Sequence, residues 1–225
     1  MKEKILLIGG SSKVGESIIK IINKSKYNIF STYNKKKLKF KGIYQVKLNL
    51  ESKTDRDKFS DKYKDMNVII FLSGVLKGKK LSEFSDKEIY ENLSLNFTDQ
   101  ILLLKKILAK QKRNCLLVFI SSISGRRGSY DPIYASAKGA MISFIKSISK
   151  WESPKIKSIG LCPGLISNTK MYKTFDNERL KKLKKQNPNK EFVNSNDLAK
   201  IIIDVIKPHW KHANGSIIDV NGGVF

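Results

Sequence analysis

Tyr134-Ala135-Ser136-Ala137-Lys138 sets a phenol and an ammonium four residues apart. In a helix the two side chains share one face, a single turn apart, so the cation can act on the phenol. A free tyrosine ionises near pH 10, and working near neutrality asks for a shift of roughly three units, or about 4 kcal/mol in favour of phenolate. Lys138 and a cationic ring on a bound ligand would supply it. Ser121-Ser122 closes an apolar run twelve residues before Tyr134, which brings a hydroxyl within reach of the same oxygen. Phenol, hydroxyl and ammonium together are the equipment for moving a proton at a carbonyl or an alcohol.

A second set of residues concerns an anion. Ile5-Leu6-Leu7-Ile8 runs straight into Gly9-Gly10-Ser11-Ser12-Lys13-Val14-Gly15. A glycine turn between a strand and a helix points the N–H groups of Ser11, Ser12, Lys13 and Val14, and the helix N-terminus, at a phosphate. Lys13 stands where a further glycine is expected, and its ammonium has two readings: turned toward that phosphate, or out into water. Eighteen residues beyond Gly15 come Tyr33-Asn34-Lys35-Lys36-Lys37, and no carboxylate follows before Glu51. A site for NAD would place a carboxylate there for the ribose 2′-OH; cations favour a 2′-phosphate, hence NADP(H) over NAD(H).

The elements that must hold these groups follow from periodicity. Short apolar runs predict strands at Lys4–Ile8, Asn28–Tyr33, Ile43–Leu48, Asn67–Leu72, Cys115–Ser121, Lys157–Cys162 and Gly215–Val220. Several are apolar throughout, as strands covered on both faces are. Val14–Ser25 has helical spacing, Ser85-Asp86-Lys87-Glu88 is a capping box for a helix running to about Gln111, and Asp131-Pro132 starts a helix running to about Trp151. Another helix is expected near Asp197–Ile206. Strand alternating with helix predicts one doubly wound α/β domain, with a parallel sheet of about seven strands. The basic segment Asn168–Glu191 is too long for a tight crossover and reads either as a mobile helical flap over the site or as a solvated excursion.

The chain has 225 residues, enough for one sizeable core. Cys115 and Cys162 sit inside apolar runs and read as buried free thiols, which suits a reducing cytoplasm; no metal site is expected. No run approaches the ~20 apolar residues of a membrane span. Forty-four Lys and Arg against 20 Asp and Glu give a formal charge of +24, but only five are arginine and the lysines are scattered along the chain. Scattered lysine predicts only salt-sensitive, non-specific contact with nucleic acid.

Taken together, these features resemble the short-chain dehydrogenase/reductase superfamily over nearly the whole chain. The pieces stand in the family's order: the glycine turn, Leu72-Ser73-Gly74, Leu95-Asn96, Ile120-Ser121-Ser122-Ile123-Ser124-Gly125, Tyr134-x-x-x-Lys138, Pro163-Gly164, and Asp219-Val220-Asn221-Gly222-Gly223. The resemblance implies a Rossmann-type fold and a Ser-Tyr-Lys-Asn tetrad. Tyr134 would be the acid/base, Ser122 would hold the carbonyl oxygen, and Lys138 would bind the nicotinamide ribose and lower the tyrosine's pKa. Asn96 would hold a water that joins Lys138 to solvent. Ser122 is preferred to Ser121 because it stands before the Ile-Ser-Gly of the family's pattern, and Tyr130 has no lysine four residues on. The cofactor site would run from Gly9–Gly15 through Tyr33, Asn34 and Lys35, Asn49 and Leu50, and Ser73 and Gly74. Pro163, Gly164 and Ile166 would close it, with either Asn168 or Thr169 taking the role of the family's threonine.

The chain departs from the family at Ile8, Lys13 and Asn49, which replace a threonine, a glycine and an aspartate. Phe71-Leu72-Ser73-Gly74 stands for the usual Asn-Asn-Ala-Gly, a loss of polar ties that bears on stability. The implied activity is reduction of a ketone by NADPH, or the reverse, with a general likeness to 3-oxoacyl-carrier-protein reductases. Arg126-Arg127 and the lysine-rich flap point to an anionic substrate, carrier-linked or phosphate-bearing. Helices Ser85–Gln111 and Pro132–Trp151 are where the family forms homodimers and homotetramers; Met141, Phe144 and Ile148 suit either such a contact or ordinary packing on the sheet. The competing reading, a non-catalytic NADP-binding regulatory protein, leaves four retained tetrad residues without a reason.

Overall fold

The computed structural model describes residues 2–224. Seven parallel strands form one sheet in the order β3-β2-β1-β4-β5-β6-β7. They are β1 (Glu3–Ile8), β2 (Tyr27–Tyr33), β3 (Tyr44–Lys47), β4 (Val68–Phe71), β5 (Cys115–Ile120), β6 (Ile156–Pro163) and β7 (Ile217–Val220). Every expected strand is present, with no end displaced by more than two residues. The order reverses between β1 and β4, which opens a crevice beyond their C-terminal ends.

Alternation along the strands builds a core on each face of the sheet. Leu6 and Ile8 point to one side, where they meet Phe59, Leu103, Leu104, Ile107, Met141 and Ile145. Ile5 and Leu7 point to the other, against Val14, Ile18, Ile19, Leu198, Ile202 and Val205. The first set comes from α2 (Lys53–Lys62), α4 (Asp99–Leu108) and α6 (Pro132–Trp151), the second from α1 (Lys13–Ile21) and α8 (Ser195–Val205). Phe71, where the resemblance would put an Asn, stacks on Phe119 with ring centroids 4.7 Å apart. Apolar stacking has taken the place of the missing polar ties.

The helices differ from expectation in three places. The first ends at Ile21 rather than Ser25, because Asn23 accepts bonds from the Ser25 N–H and hydroxyl (2.9 and 2.6 Å) and turns the chain. The long helix from Ser85 has its capping box, but it is broken into α3 (Asp86–Leu93), a π-helical turn (Ser94–Thr98) and α4, which ends at Leu108. Helix α2 was not expected, since its sequence is almost wholly polar. Ser52 caps it, and Phe59 and Arg56 face inward. Arg56 donates to the Leu50 carbonyl and to Asp99 Oδ1 (2.7 Å) in a buried ion pair that ties α2 to α4. A single short turn of helix, α5 (Ser124–Arg127), follows β5. Cys115 and Cys162 are free and buried. Among the described residues no helix is long and apolar enough to cross a membrane.

Candidate functional site

Helix α6 begins and ends where the sequence predicts. Asp131 caps it, accepting from the Tyr134 N–H at 2.9 Å, with Pro132 at the first helical position. The face that carries Tyr134 and Lys138 lies against the end of β5, and both side chains are buried, 6 % and 3 % exposed. The Lys138 ammonium lies 5.7 Å from the centre of the Tyr134 ring and donates to the Ile120 carbonyl at 2.9 Å, its one hydrogen bond among the described residues. The two serines divide their work. Ser121 donates to the Lys138 carbonyl at 2.8 Å and so anchors α6 to the sheet. Ser122 accepts from the Ser124 N–H at 3.1 Å, and its hydroxyl is close enough to the Tyr134 phenol to favour the phenolate.

Burial pushes the Tyr134 phenol up to about 12, against the pull of the Ser122 hydroxyl, and the Asp131 and Cys162 side chains raise it further. Burial likewise brings Lys138 down to about 8. In the protein alone burial dominates both groups, since loss of water disfavours the phenolate of one and the ammonium of the other. At neutral pH Tyr134 holds its proton.

Asn96 lies in the π-helical turn, fully buried. Its amide oxygen accepts from the Val75 N–H and its nitrogen donates to the Val75 carbonyl, both at 2.9 Å, with further bonds to the Asn92 carbonyl and side-chain oxygen at 3.0 and 2.7 Å. The side chain thus fixes the strand-to-helix loop after β4. Gly74 in that loop stands so close that a Cβ there would lie 3.2 Å from Asn96 Oδ1 and 3.4 Å from Lys138 Nζ. A π turn is a common way to place a helical residue off its regular face at a site. Its i to i−5 bond runs from the Asp99 N–H to the Ser94 carbonyl, and Asp99 also accepts from the Ser94 hydroxyl at 2.8 Å.

The glycine turn meets the requirements of a dinucleotide cradle. Gly9 has φ +79°, and a Cβ on it would press to 2.5 Å from Ser73 Oγ; a Cβ on Gly15 would strike the Gly10 backbone. Ser12 caps α1 through Gly15 (3.2 Å), which leaves Lys13 and Val14 in the first turn, where a helix has no carbonyls for their N–H groups. Ser11 and Ser12 differ, since their N–H groups are spent on the Thr32 carbonyl at 3.2 Å and the Gly9 carbonyl at 3.0 Å. Thr32, which the sequence reading passed over, also accepts from the Gly9 N–H at 2.8 Å and braces the turn from β2. The Lys13 side chain lies in the exposed surface, with its ammonium on Glu16 at 3.2 Å, and Glu16 also meets Lys20 at 2.7 Å. Tyr33 ends β2 half-buried, with Asn34 and Lys35 exposed just beyond the crevice; Asn49 gives its backbone N–H to Asp55 and Leu50 gives its carbonyl to Arg56.

These groups meet at the switch point, in the order and with the pairings of a known family, and the comparisons agree. The family model for short chain dehydrogenase matches residues 3–180. The chain belongs to the short-chain dehydrogenase family. It is 28% identical over 188 residues to the 3-oxoacyl-[acyl-carrier-protein] reductase FabG of Aquifex aeolicus, covering 80% of this chain and 75% of that protein. It is 23% identical to the uncharacterized oxidoreductase YmfI of Bacillus subtilis over 99% of both. Among solved structures, a short chain dehydrogenase family protein from Francisella tularensis superposes with a TM-score of 0.91 at 20% identity, covering 100% of this chain and 99% of the other. A single-residue variant of actinorhodin polyketide ketoreductase with NADPH gives 0.88 at 17%, covering 99% and 97%. At such identities the structures speak for the fold alone. The chain is an oxidoreductase of a family that uses nicotinamide cofactors, and its residues fit one: a turn cleared of side chains, two first-turn N–H groups, and a buried ammonium with a single hydrogen bond among the described residues.

Arg126 already has partners in the protein: its guanidinium pairs with both Asp219 oxygens (3.1 and 3.0 Å) and with the Ile217 carbonyl, which fastens the end of β7. Pro163 and Gly164 end β6 in bonds to Ile123 and Val220. Ile166 pairs with Val193, Asn168 has φ +64°, and Thr169 accepts from the Tyr172 N–H at 3.1 Å while donating to Ile166, so neither candidate threonine-like residue is singled out. The basic segment holds a 3₁₀ turn (Tyr172–Thr174) and α7 (Asn177–Gln186). Arg179 on α7 lies over the rings of Tyr130 (5.2 Å) and Phe175 (4.8 Å), which docks the segment beside the site through the tyrosine the motif had set aside. Met141 and Ile148 are buried against the sheet, and the partly buried Phe144 packs edge-on to Phe97 and Phe119, as their second reading, packing on the sheet, requires.

Proposed function

We propose that this chain is an NADP(H)-dependent reductase of ketones, with Tyr134 as the acid. The observation that carries the reading is the buried Tyr134 phenol with the Lys138 ammonium 5.7 Å from its ring, one helical turn away, and the Ser122 hydroxyl acting on it. A bound reduced nicotinamide supplies the hydride to the carbonyl carbon. Tyr134 gives its proton to the carbonyl oxygen, and a phenol that keeps its proton at neutral pH is in the right state to give it. Ser122 holds that oxygen in place. Lys138 binds the cofactor ribose and stabilises phenolate once the proton has left; Asn96 fixes the loop against which both work. The run Lys35-Lys36-Lys37, exposed and without an ion pair among the described residues, supports NADP over NAD.

The substrate class is an anionic ketone, carrier-linked or phosphate-bearing. The lysines of α7 support it, as do relatives named as 3-oxoacyl-carrier-protein reductases. With Arg126 spent on Asp219, the attraction falls mainly to the flap. Two buried free thiols suit a reducing cytoplasm, and Tyr90 and Leu102, exposed on α3 and α4, suit a homodimer or homotetramer.

NADPH oxidation is the test, measured with a carrier-linked 3-oxoacyl substrate, a phosphate-bearing ketone and a neutral ketone at low and moderate salt. Tyr134→Phe is expected to lower kcat by about 100-fold or more with NADPH affinity kept. Unchanged turnover in that variant would remove the acid assignment, and equal kcat/KM for neutral and anionic ketones at both salts would remove the substrate class.

A further inference from the structure

Asp131 does more than begin a helix. Its carboxylate is 1 % exposed and accepts three backbone N–H bonds: Tyr134 on one oxygen at 2.9 Å, and Lys77 and Gly78 on the other at 3.2 and 2.9 Å. The first belongs to α6 and the other two to the loop after β4, more than fifty residues away in the chain. That loop is held at its near end by Asn96, which bonds both the N–H and the carbonyl of Val75. Just before these two holds it passes Gly74, beside Lys138.

Capping alone does not explain an aspartate. Ser, Thr and Asn cap a helix about as well. Three donors from two segments require two acceptor oxygens, which among those residues only a carboxylate offers; an Asn would turn its NH₂ toward Lys77 and Gly78, and a Ser has one short oxygen. Bonds from N–H groups to an ionised oxygen are about twice as strong as neutral ones, so the loop is fastened as firmly as the helix.

We propose that Asp131 is a positioning residue that sets the loop wall at 74–78 against Tyr134 by sharing one carboxylate between them. The inference rests on the reading of Tyr134 as the acid. Its role is to keep the carbonyl's surroundings in register with the phenol, where a displacement of about 1 Å costs on the order of 100-fold in rate.

Asp131→Ser and Asp131→Asn separate the two roles, because both keep a cap for the Tyr134 N–H and lose the acceptor for Lys77 and Gly78. Three quantities are to be measured on each: Tm, kcat and KM for the ketone at saturating NADPH, and amide hydrogen exchange. Exchange at Lys77 and Gly78 is expected to accelerate about tenfold or more while the Tyr134 amide keeps its protection, and kcat to fall about tenfold or more with Tm close to the parent's. Unchanged exchange at Lys77 and Gly78 overturns the proposal, and so does unchanged kcat and KM in both variants of an active parent. Should the parent reduce no ketone, the acid assignment fails by itself, and accelerated exchange confined to Lys77 and Gly78 still upholds the shared carboxylate.

Discussion

Lys13 and Lys138 are two lysines close to the proposed chemistry, and they live in opposite surroundings. Lys13 sits in the glycine turn with its side chain 39% exposed, and its partner Glu16 is three residues away. Lys138 is buried, its hydrogen bond goes to Ile120, and its neighbours come from β5 and from the loop after β4. One environment is made by adjacent residues, the other by the assembled sheet. An exposed ion pair is worth about 0–1 kcal/mol, whereas a buried ammonium with one carbonyl is held at a cost in exchange for a function.

The comparison breaks first at Lys138. Lys138→Met is expected to lower kcat by about 100-fold or more, since it removes the cation beside Tyr134. The same change alters stability with pH in a direction fixed by the lowered pKa of the lysine. Between pH of about 8 and 10.5 the unfolded chain still binds the lysine proton that the folded protein has lost, so the parent gains stability as pH rises through that window. Below it the full penalty remains, on the order of 3 kcal/mol. Denaturant melts at pH of about 7 and about 10 are expected to show that gain in the parent and its absence in Lys138→Met; parallel curves would refute the buried-ammonium picture.

At the far end of the cofactor crevice, Lys35→Glu is expected to move the NADPH over NADH preference by about tenfold, through loss of attraction to the 2′-phosphate. Equal dissociation constants before and after would assign the preference elsewhere. The smallest effect belongs to Lys13→Gly: with its ammonium on Glu16, the NADPH dissociation constant is expected to move less than about threefold. A loss above about tenfold, falling away with salt, would show that Lys13 leaves Glu16 for the phosphate and that the contrast with Lys138 is overdrawn.

The same division between neighbouring and distant partners explains what was legible in the sequence. Inner strands such as β4, buried at every position, announce themselves as apolar runs, and the half-exposed edge strands β3 and β7 were read with them. Asp131-Pro132 marks the start of α6 because a cap is a local device. The π turn was hidden, since only the folded loop at Val75 and the buried Arg56 draw Asn96 and Asp99 out of regular helical register. Helix α2 was hidden because one phenylalanine and an arginine carry its inward face. Arg126 looked available for a substrate until β7 brought Asp219 beside it. The three residues that suited either a contact between copies or the sheet were apolar because they line the core.

By itself the sequence determined the alternation of strand and helix, the glycine turn, the tyrosine and lysine on one helical face, and with them the family. Each depends on spacing along the chain, to which the backbone's own periodicities give meaning. Only the tertiary structure decided the state of the groups: a phenol held protonated, a lysine brought down to about 8, two serines given different partners, and one carboxylate shared between a helix and a loop. Those depend on which polar groups lose water together and which donors remain to replace it, and that is settled when distant segments close on one another.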